Sequence, residues 1–298
     1  MKKTIIFAGV ILCVALLTTT SCSNDNETIL NKKELAPVTV HVDGFSVTQD
    51  EFPGTRAAQS VEDYSGVKAI TLAFYSGNTE VLKTTQTKGA LEEGETFGEF
   101  TTALPMGSYT MVVIARGQGD GDVFTLTSPT EAAYTSDHSR ETFAATQEVI
   151  INNTSAVDIS ATLNRIVAKL QVYSSDNRTA NATNVRMTFA AGGKSFSPST
   201  GLVISNTGFV NTVPISAAVG TTSNSVSYLF LAEDEQEINV TIETLDSEGN
   251  TLFSKTVENV PFKRNRITKL TGAMYTSDAV SGAFQLETTW LPDHNADF

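Results

Sequence analysis

Short segments in which apolar and polar residues alternate recur along most of the chain. Val38–Val42 and Ile238–Ile242 alternate strictly, which places their aliphatic side chains on one face of an extended strand. After residue 21, no stretch has a long apolar pattern of helical period. Turn residues separate the segments, for example Ser76–Asn78 and Asp246–Asn250. Many short strands with such turns predict an all-β protein of antiparallel β-sandwiches.

Two further patterns refine this prediction. In Ala69–Phe74 the residues Ile70, Leu72 and Phe74 share one face, whereas Tyr109–Ile114 is apolar on both faces, as a central strand can be. A faint repeat relates two predicted hairpins, one over residues 70–84 and one over residues 240–256. The repeat is compatible with two sandwiches in series.

The predicted boundary between the two domains lies near Ser160, giving domains at residues 36–160 and 161–298. Ile150–Ile159 is interpreted as the last strand of the first domain. Leu163–Tyr173 is interpreted as the first long strand of the second domain. The chain is long enough for two domains of ordinary size.

The N-terminus has the pattern of an export signal. Lys2 and Lys3 precede an apolar run of 13 residues, Ile5–Leu17, which is too short to span a bilayer of roughly 30 Å. Thr18–Ser21 then lead to Cys22. Small polar residues before a cysteine resemble a bacterial lipobox, so residues 1–21 are interpreted as a signal peptide and Cys22 as the lipidated first residue. Ordinary secretion with an unmodified Cys22 is the alternative, because Thr19 stands where a lipobox usually has leucine.

Residues 22–35 are interpreted as a lipidated tether. The polar, acidic stretch Ser23–Glu27 resembles the surface-export signal of lipoproteins in Bacteroidetes-type bacteria, although a plain solvated tether would have a similar composition. We therefore expect a lipid-anchored protein of the outer membrane that faces outwards.

Cysteine content and charge narrow the possible functions. The two cysteines are Cys13, which leaves with the leader, and Cys22, so the mature protein is expected to have no disulfide. The chain has 33 acidic and 20 basic residues and a formal net charge of −13, and loss of Lys2 and Lys3 makes the balance more acidic. This balance argues against nucleic acid as a partner and against a polybasic grip on anionic lipid.

No catalytic, cofactor or metal site is predicted. The histidines His41, His138 and His294 have no metal-ligand spacing, and neither a nucleophile elbow nor a phosphate-binding loop is present in the sequence. Asp120 and Asp122 in a glycine-rich segment could contribute to a Ca²⁺ site, but a turn is the favoured interpretation because Ca²⁺ needs six to eight oxygens. The acidic run at residues 233–235 is interpreted as a solvated loop, and the chain as a non-enzyme.

The order of several motifs resembles the fimbrillin-like lipoproteins of Bacteroidales, the superfamily of major and minor fimbrial subunits with their anchor and tip proteins. In chain order, the motifs are the lipobox, the strand VTVHVDGF, Thr55–Ala57, Leu104–Tyr109, Asn164–Leu170 and Val260–Gly272.

The resemblance implies two transthyretin-like β-sandwich domains and assembly into surface fimbriae with other subunits. It also implies that a protease trims some subunits after Arg or Lys, which points to a cut between Arg56 and Ala57. A plain surface loop around Arg56 is the alternative. Whether the chain is a stalk, anchor or tip subunit, and which host or bacterial ligand a tip would bind, stays open.

A strand for exchange between subunits is predicted near the C-terminus. Phe284, Leu286, Thr288 and Trp290 lie on one face of an alternating segment that Pro292 ends. After release of the first strand, this segment could fill the groove of another copy. The slightly favoured alternative is a closing strand of its own domain.

The functional prediction is therefore a structural or accessory subunit of fimbriae, with roles in pilus assembly and adhesion. The alternative is a glycan-binding surface lipoprotein of an outer-membrane uptake system. Such proteins use exposed aromatic platforms, and the single tryptophan, Trp290, offers little for one.

Overall fold

The computed structural model describes residues 34–46, 61–117, 124–135, 139–276 and 284–287, and within these ranges it contains strands and turns but no helix. The predicted all-β class, with β-sandwiches in series, is confirmed. The strands are β1 (Leu35–Ser46), β2 (Ala69–Ser76), β3 (Thr79–Thr87), β4 (Glu99–Pro105), β5 (Gly107–Arg116), β6 (Phe124–Ser128), β7 (Glu131–Tyr134), β8 (Thr142–Ile151), β9 (Val157–Arg165), β10 (Ala168–Ser174), β11 (Asn184–Phe189), β12 (Ser195–Phe196), β13 (Phe209–Pro214), β14 (Asn224–Leu229), β15 (Glu235–Leu245), β16 (Thr251–Lys263), β17 (Ile267–Gly272) and β18 (Gln285–Glu287).

The first sandwich is one sheet bent into two layers, with the strand order β3-β2-β5-β8-β9-β1-β4. The bend lies between β8 and β9, which pair at Phe143 with Arg165 and at Ala144 with Asn164. The inner faces of both layers form a single buried cluster, so the layers pack face to face. Its members include Val38, Val40, Ile70, Leu72, Phe74, Met111, Val113 and Leu163.

The second sandwich has two separate layers, β14-β10-β17-β18 and β13-β11-β15-β16. Their inner faces form a second buried cluster. The strict alternation of Ile238–Ile242 is realised here, because Ile238, Val240 and Ile242 all point into this cluster. Other members include Leu170, Val172, Val185, Met187, Phe262 and Leu270.

The two sandwiches have the same topology. In each, the first strand lies between an antiparallel neighbour and a late strand that runs parallel to it: β1 between β4 and β9, and β10 between β14 and β17. The opposite layers, β3-β2-β5-β8 and β13-β11-β15-β16, also correspond in order. Both predicted hairpins exist, as β2–β3 and β15–β16. They are not counterparts, however, because the topological equivalent of β2–β3 is β11–β13.

A third core joins the sandwiches. The small sheet β12-β7-β6 combines strands from both halves of the chain and covers the outer face of β2 and β5. At its centre, the buried rings of Phe196 and Phe230 stack with centroids 4.2 Å apart. Tyr75 and Ile114 are buried in the same cluster, which explains why β2 and β5 are apolar on both faces.

Two predicted strand assignments are wrong. Leu163–Tyr173 is not one strand, because the chain changes sheets at Ile166 and Val167, which are buried in the third core. Ile150–Ile159 is interrupted by a turn in which the side chain of Asn153 accepts a hydrogen bond from the backbone N–H of Ser155. The domain division at residues 160 and 161 stays a prediction, and β9 runs through this position.

Candidate assembly site

The first strand is an integral part of the first sandwich. The residues of β1 that point into its core, namely Ala36, Val38, Val40, Val42 and Phe45, are all buried. On the opposite face, His41 is partly exposed beside Glu99 of β4 and Ser160 of β9. The predicted alternation of Val38–Val42 is thereby confirmed.

Both backbone edges of β1 are occupied. Leu35–His41 pairs with Glu99–Pro105 of β4, and Val38–Ser46 pairs with Val157–Asn164 of β9. Loss of β1 would therefore expose an apolar groove together with unpaired N–H and C=O groups on two strands. Such a groove would be a template for a strand from another chain.

The chain leaves β1 and returns at nearly the same place. A Cβ atom placed on Gly98 would lie 3.0 Å from Val61 and 3.6 Å from Val42, so both valines pack closely on this glycine. Gly98 has a φ of +92°, a conformation that side chains rarely adopt. Val61 is the first described residue after β1. It therefore packs against the same glycine, just before β4, that Val42 of β1 contacts.

Beyond Val61, a polar cluster fixes the returning chain. The Tyr64 hydroxyl donates to Glu141 at 2.6 Å, and the Arg165 guanidinium lies 2.8 Å from the same carboxylate oxygen. Arg165 also donates to Asn265 at 2.8 Å and thereby links the two sandwiches. Burial, and then the charge of Glu141, raise the pKa of Tyr64 well above its ordinary value. These polar contacts of the Tyr64 hydroxyl do not involve β1, whereas the Tyr64 ring also packs against Phe45 of β1, with ring centroids 5.4 Å apart.

Several predicted site residues lie outside the described residues. They include the lipidation site Cys22 and the cleavage pair Arg56 and Ala57. Asp120, Asp122, His138 and His294 also lie outside, as do Thr288 and Trp290 of the proposed donor strand. Their roles stay predictions. Of the proposed donor strand, Phe284 and Leu286 are described.

The C-terminal segment pairs at the edge of the second sandwich. Gln285–Glu287 forms β18, antiparallel to Lys269–Thr271 of β17. Phe284 is half-buried against Gly272, where an added Cβ atom would lie 2.8 Å from its ring, while Leu286 is exposed. The segment and β1 belong to different sheets, so one copy of the chain does not bring the two strands together.

Asp176 fixes the chain just before this segment. Its carboxylate accepts hydrogen bonds from the backbone N–H groups of Met274, Tyr275 and Thr276 at 2.7, 2.8 and 2.9 Å. The Thr276 hydroxyl donates to it as well, at 3.1 Å. The position of the chain up to residue 276 is thus set by contacts that do not involve β18. No sequence pattern singled out Asp176, because an isolated aspartate in a loop has many possible roles.

A cleft of about 590 Å³ lies between the two halves of the chain. Thr146 and Asn164 line it from one side, and Ser199 and Arg264 from the other. No aromatic side chain is among its described lining residues. Stacking platforms of the kind that the glycan-binding alternative requires are therefore missing from this cleft.

Clusters of metal-ligating side chains and membrane-spanning helices are both absent from the described part of the chain. There, no three His, Cys, Asp or Glu side chains lie close enough together to hold a metal ion. No helix in the described ranges is long and apolar enough to cross a membrane. Near the acidic run at residues 233–235, Arg264 pairs with Asp234 at 2.5 Å and Lys263 pairs with Glu235.

Residues 36–290 match the model of a protein family described as a family of unknown function, DUF6562. The chain therefore belongs to this family, and the matched residues include both sandwiches. No curated protein sequence matches the chain.

The chain is similar to solved structures from Bacteroidales. A candidate adhesin from Bacteroides ovatus is 9% identical, with a TM-score of 0.51 over 86% of this chain and 95% of that one. A second candidate adhesin from the same species is 12% identical, with a TM-score of 0.49 over 88% and 96%. The fimbrial anchor protein Mfa2 of Porphyromonas gingivalis is 11% identical, with a TM-score of 0.48 over 86% and 98%. The first of these likenesses shows a shared fold, as the fimbrillin-like resemblance implies.

Proposed function

We propose that the chain is a structural or accessory subunit of cell-surface fimbriae, exported as an outer-membrane lipoprotein with its lipid on Cys22. The observation that carries this proposal is the position of β1, an inner strand with a fully buried face and a pairing partner on each edge. The shared fold with a candidate adhesin from Bacteroides ovatus supports a role in adhesion or fimbriae.

Cleavage after Arg56 would separate β1 from the rest of the chain. Its non-covalent contacts would then be all that retains it, whereas Val61 and Tyr64 would keep the remaining chain in place. Release of β1 would open the groove between β4 and β9. Tyr64 would lose its ring contact with Phe45 but keep its hydrogen bond to Glu141, and Val61 would keep its contact with Gly98. A strand from a second copy could then restore both ladders and the buried face.

The C-terminal segment is the proposed donor. Its described part, Phe284–Glu287, pairs along three residues of a sheet edge, so little pairing would be lost on its release. Phe284 and Leu286 would begin the apolar face, and Thr288 and Trp290 would continue it. The alternative, that the segment closes its own sandwich permanently, accounts for the same pairing.

A mixing experiment separates the two models. Protease-trimmed full-length protein should form SDS-resistant ladders, whereas trimmed protein truncated after Gly282 should not extend them. Arg56→Ala should block trimming and ladder formation, and Gln59→Ala in the same segment serves as the matched control. Equal polymerisation of untrimmed or truncated protein would contradict strand donation and favour an anchor or a non-fimbrial lipoprotein.

Cys22→Ala tests the anchor. Without the thiol no lipid can be attached, so the variant should leave the membrane fraction and become soluble in the periplasm or the medium. Mass spectrometry of the mature N-terminus provides the independent readout, because it distinguishes a lipidated Cys22 from a start at Ala57. Retention of the variant in outer membranes would count against the lipoprotein assignment.

A glycan-binding lipoprotein is the alternative function. A glycan array probed with the soluble protein should give no specific signal if the chain is a structural subunit. Immunogold microscopy should then label filaments, whereas a glycan binder of an uptake system would label the cell surface without filaments.

A further inference from the structure

Four large apolar side chains of the first sandwich are strongly exposed. The exposed fractions are 52% for Leu35, 41% for Val81, 50% for Met106 and 62% for Ile150. Within the described residues, these are all the strongly exposed large apolar residues of this sandwich. Single exposed apolar residues need no explanation, but a concentration at one place indicates a contact surface.

The strand register places three of them at the same end. Leu35 pairs with Pro105, the neighbour of Met106 in the chain. Ile150 pairs with Ser108 on the other layer. The short connection from β4 to β5 therefore carries Met106 across the end of the sandwich, between the strands that bear Leu35 and Ile150.

Val81 lies near this end as well. It follows Glu80, which pairs with Tyr75 of β2, and Tyr75 in turn pairs with Thr110 of β5. Thr110 is two residues from Ser108, so Val81 is near the level of the other three. Together, Leu35, Val81, Met106 and Ile150 form what we call the apolar tip.

The connections at the apolar tip are uncharged, and acidic residues lie at their margin. The three connections at this end, over residues 76–79, 105–109 and 149–157, contain no charged residue, although the chain carries a net charge of −13. Acidic residues flank these connections: Glu80 is paired with Lys83 at 2.5 Å, Glu148 accepts a hydrogen bond from the Thr110 hydroxyl at 2.9 Å, and Glu34 and Asp158 are exposed. Contact with an apolar surface would therefore be shallow, with the four apolar side chains buried and these carboxylates left in water.

The opposite end of the sandwich is already occupied. There the cluster of Tyr64, Glu141 and Arg165 reaches Asn265 of the second sandwich. The apolar tip is thus at the end of the first sandwich that faces away from this connection.

The described chain also begins at the tip. Twelve residues, 23–34, separate Cys22 from Leu35, and a chain of this length spans at most about 43 Å. β1 itself is twelve residues long and covers about 40 Å. With lipid on Cys22, the tether keeps the end that bears Leu35 within about 43 Å of the membrane, and the other end of β1 is attached only through the full length of the strand.

We propose that the apolar tip inserts into the lipid surface of the outer membrane whenever the chain carries its lipid anchor. The inference rests on the proposed lipidation of Cys22 and concerns the untrimmed chain. The tip provides a second, non-covalent membrane contact beside the acyl chains. This contact orients the protein with its second sandwich pointing away from the membrane.

The test places an environment-sensitive fluorophore on the tip. Cys13 is lost with the leader and the sulfur of Cys22 carries lipid, so Met106→Cys provides a single reactive thiol in the lipidated protein. Val219→Cys is the matched control, because Val219 is an apolar residue of the second sandwich with 57% exposure. Both proteins are reconstituted into phosphatidylcholine vesicles with and without doxyl-labelled lipid.

The label at position 106 should shift its emission to the blue and lose intensity with doxyl lipid, and the label at position 219 should do neither. The substitutions Leu35→Ser and Ile150→Glu, added to Met106→Cys, should abolish the quenching, and both affect exposed side chains. Absence of quenching at position 106, equal quenching at both positions, or a blue shift without vesicles that grows with protein concentration would overturn the proposal. The last result would indicate contact with a second copy.

Two further measurements distinguish failure of the proposed lipid anchor from failure of the proposed membrane contact of the apolar tip. Flotation with vesicles and the mass of the N-terminal peptide report lipidation by themselves. A protein that does not float and carries no lipid refutes the proposed anchor, and the tip inference falls with it. A protein that floats with an unquenched label at position 106 refutes the tip contact alone.

Discussion

Phe196→Ala should uncouple the two sandwiches without damaging the core of either. Phe196 is fully buried in the third core, where its ring lies 4.2 Å from that of Phe230 and 6.3 Å from that of Phe124. Truncation of a buried phenylalanine costs about 3–5 kcal/mol, from lost transfer free energy and from the cavity left behind. Because Phe196 belongs to neither sandwich core, this cost falls on the contact between them.

Urea unfolding followed by circular dichroism measures the effect. The wild type should unfold in one transition, whereas the variant should show two, each with a smaller m value because each exposes less surface. Hydrogen exchange should show early opening of β12 and β7. Phe74→Ala is the control, since it deletes an equally buried ring from the first core and should destabilise that sandwich itself. A single Phe196→Ala transition with an unchanged midpoint and m value would refute the reasoning.

Three further predictions follow from the charges and the composition. The Arg186 guanidinium, through its hydrogen bond, lowers the pKa of Glu243. The substitution Glu243→Gln should therefore lower the free energy of unfolding by about 1 kcal/mol at neutral pH. In urea titrations this difference should disappear as the pH falls through the lowered pKa, and a difference that persists in acid would contradict the ion-pair account. Burial raises the pKa of Tyr228 from 10.0 to about 12, so stability should fall between these pH values, and Tyr228→Phe should remove part of that slope. EDTA or reductant should leave the melting temperature unchanged; a drop of several degrees with EDTA would indicate a metal site, with Asp120 and Asp122 the first residues to test.

Period-two alternation predicted the two sandwich cores well. The inward residues of β1 and β15 are those that their patterns place on one face. The apolar character of β5 on both faces correctly predicted a central strand. These features depend on a residue's immediate neighbours along the strand, which is the information that a sequence pattern contains.

Contacts between distant segments could not be predicted in this way. The two-residue strand β12 exists because Phe196 is buried against Phe230 and pairs with β7, and none of these neighbours is near in sequence. The break at Ile166 and Val167 has the same cause, since both residues are as apolar as a continuous strand requires. The parallel pairing of β1 with β9 likewise leaves no local signature. The sequence therefore predicted β1 as a strand but not its place between two others.

In each sandwich the first strand pairs in parallel with a late strand, and this pairing has a consequence for how the chain reaches its native state. Val38 pairs with Val157, so closure of the first sandwich joins segments about 120 residues apart, a topology that folds slowly. The second sandwich repeats the arrangement, with Lys169 paired to Ile267. Neither unit can complete its core until almost all of its residues have emerged from the ribosome. In the proposed export of this chain, such a delay would keep the newly made polypeptide unfolded long enough to be threaded through a narrow secretion channel.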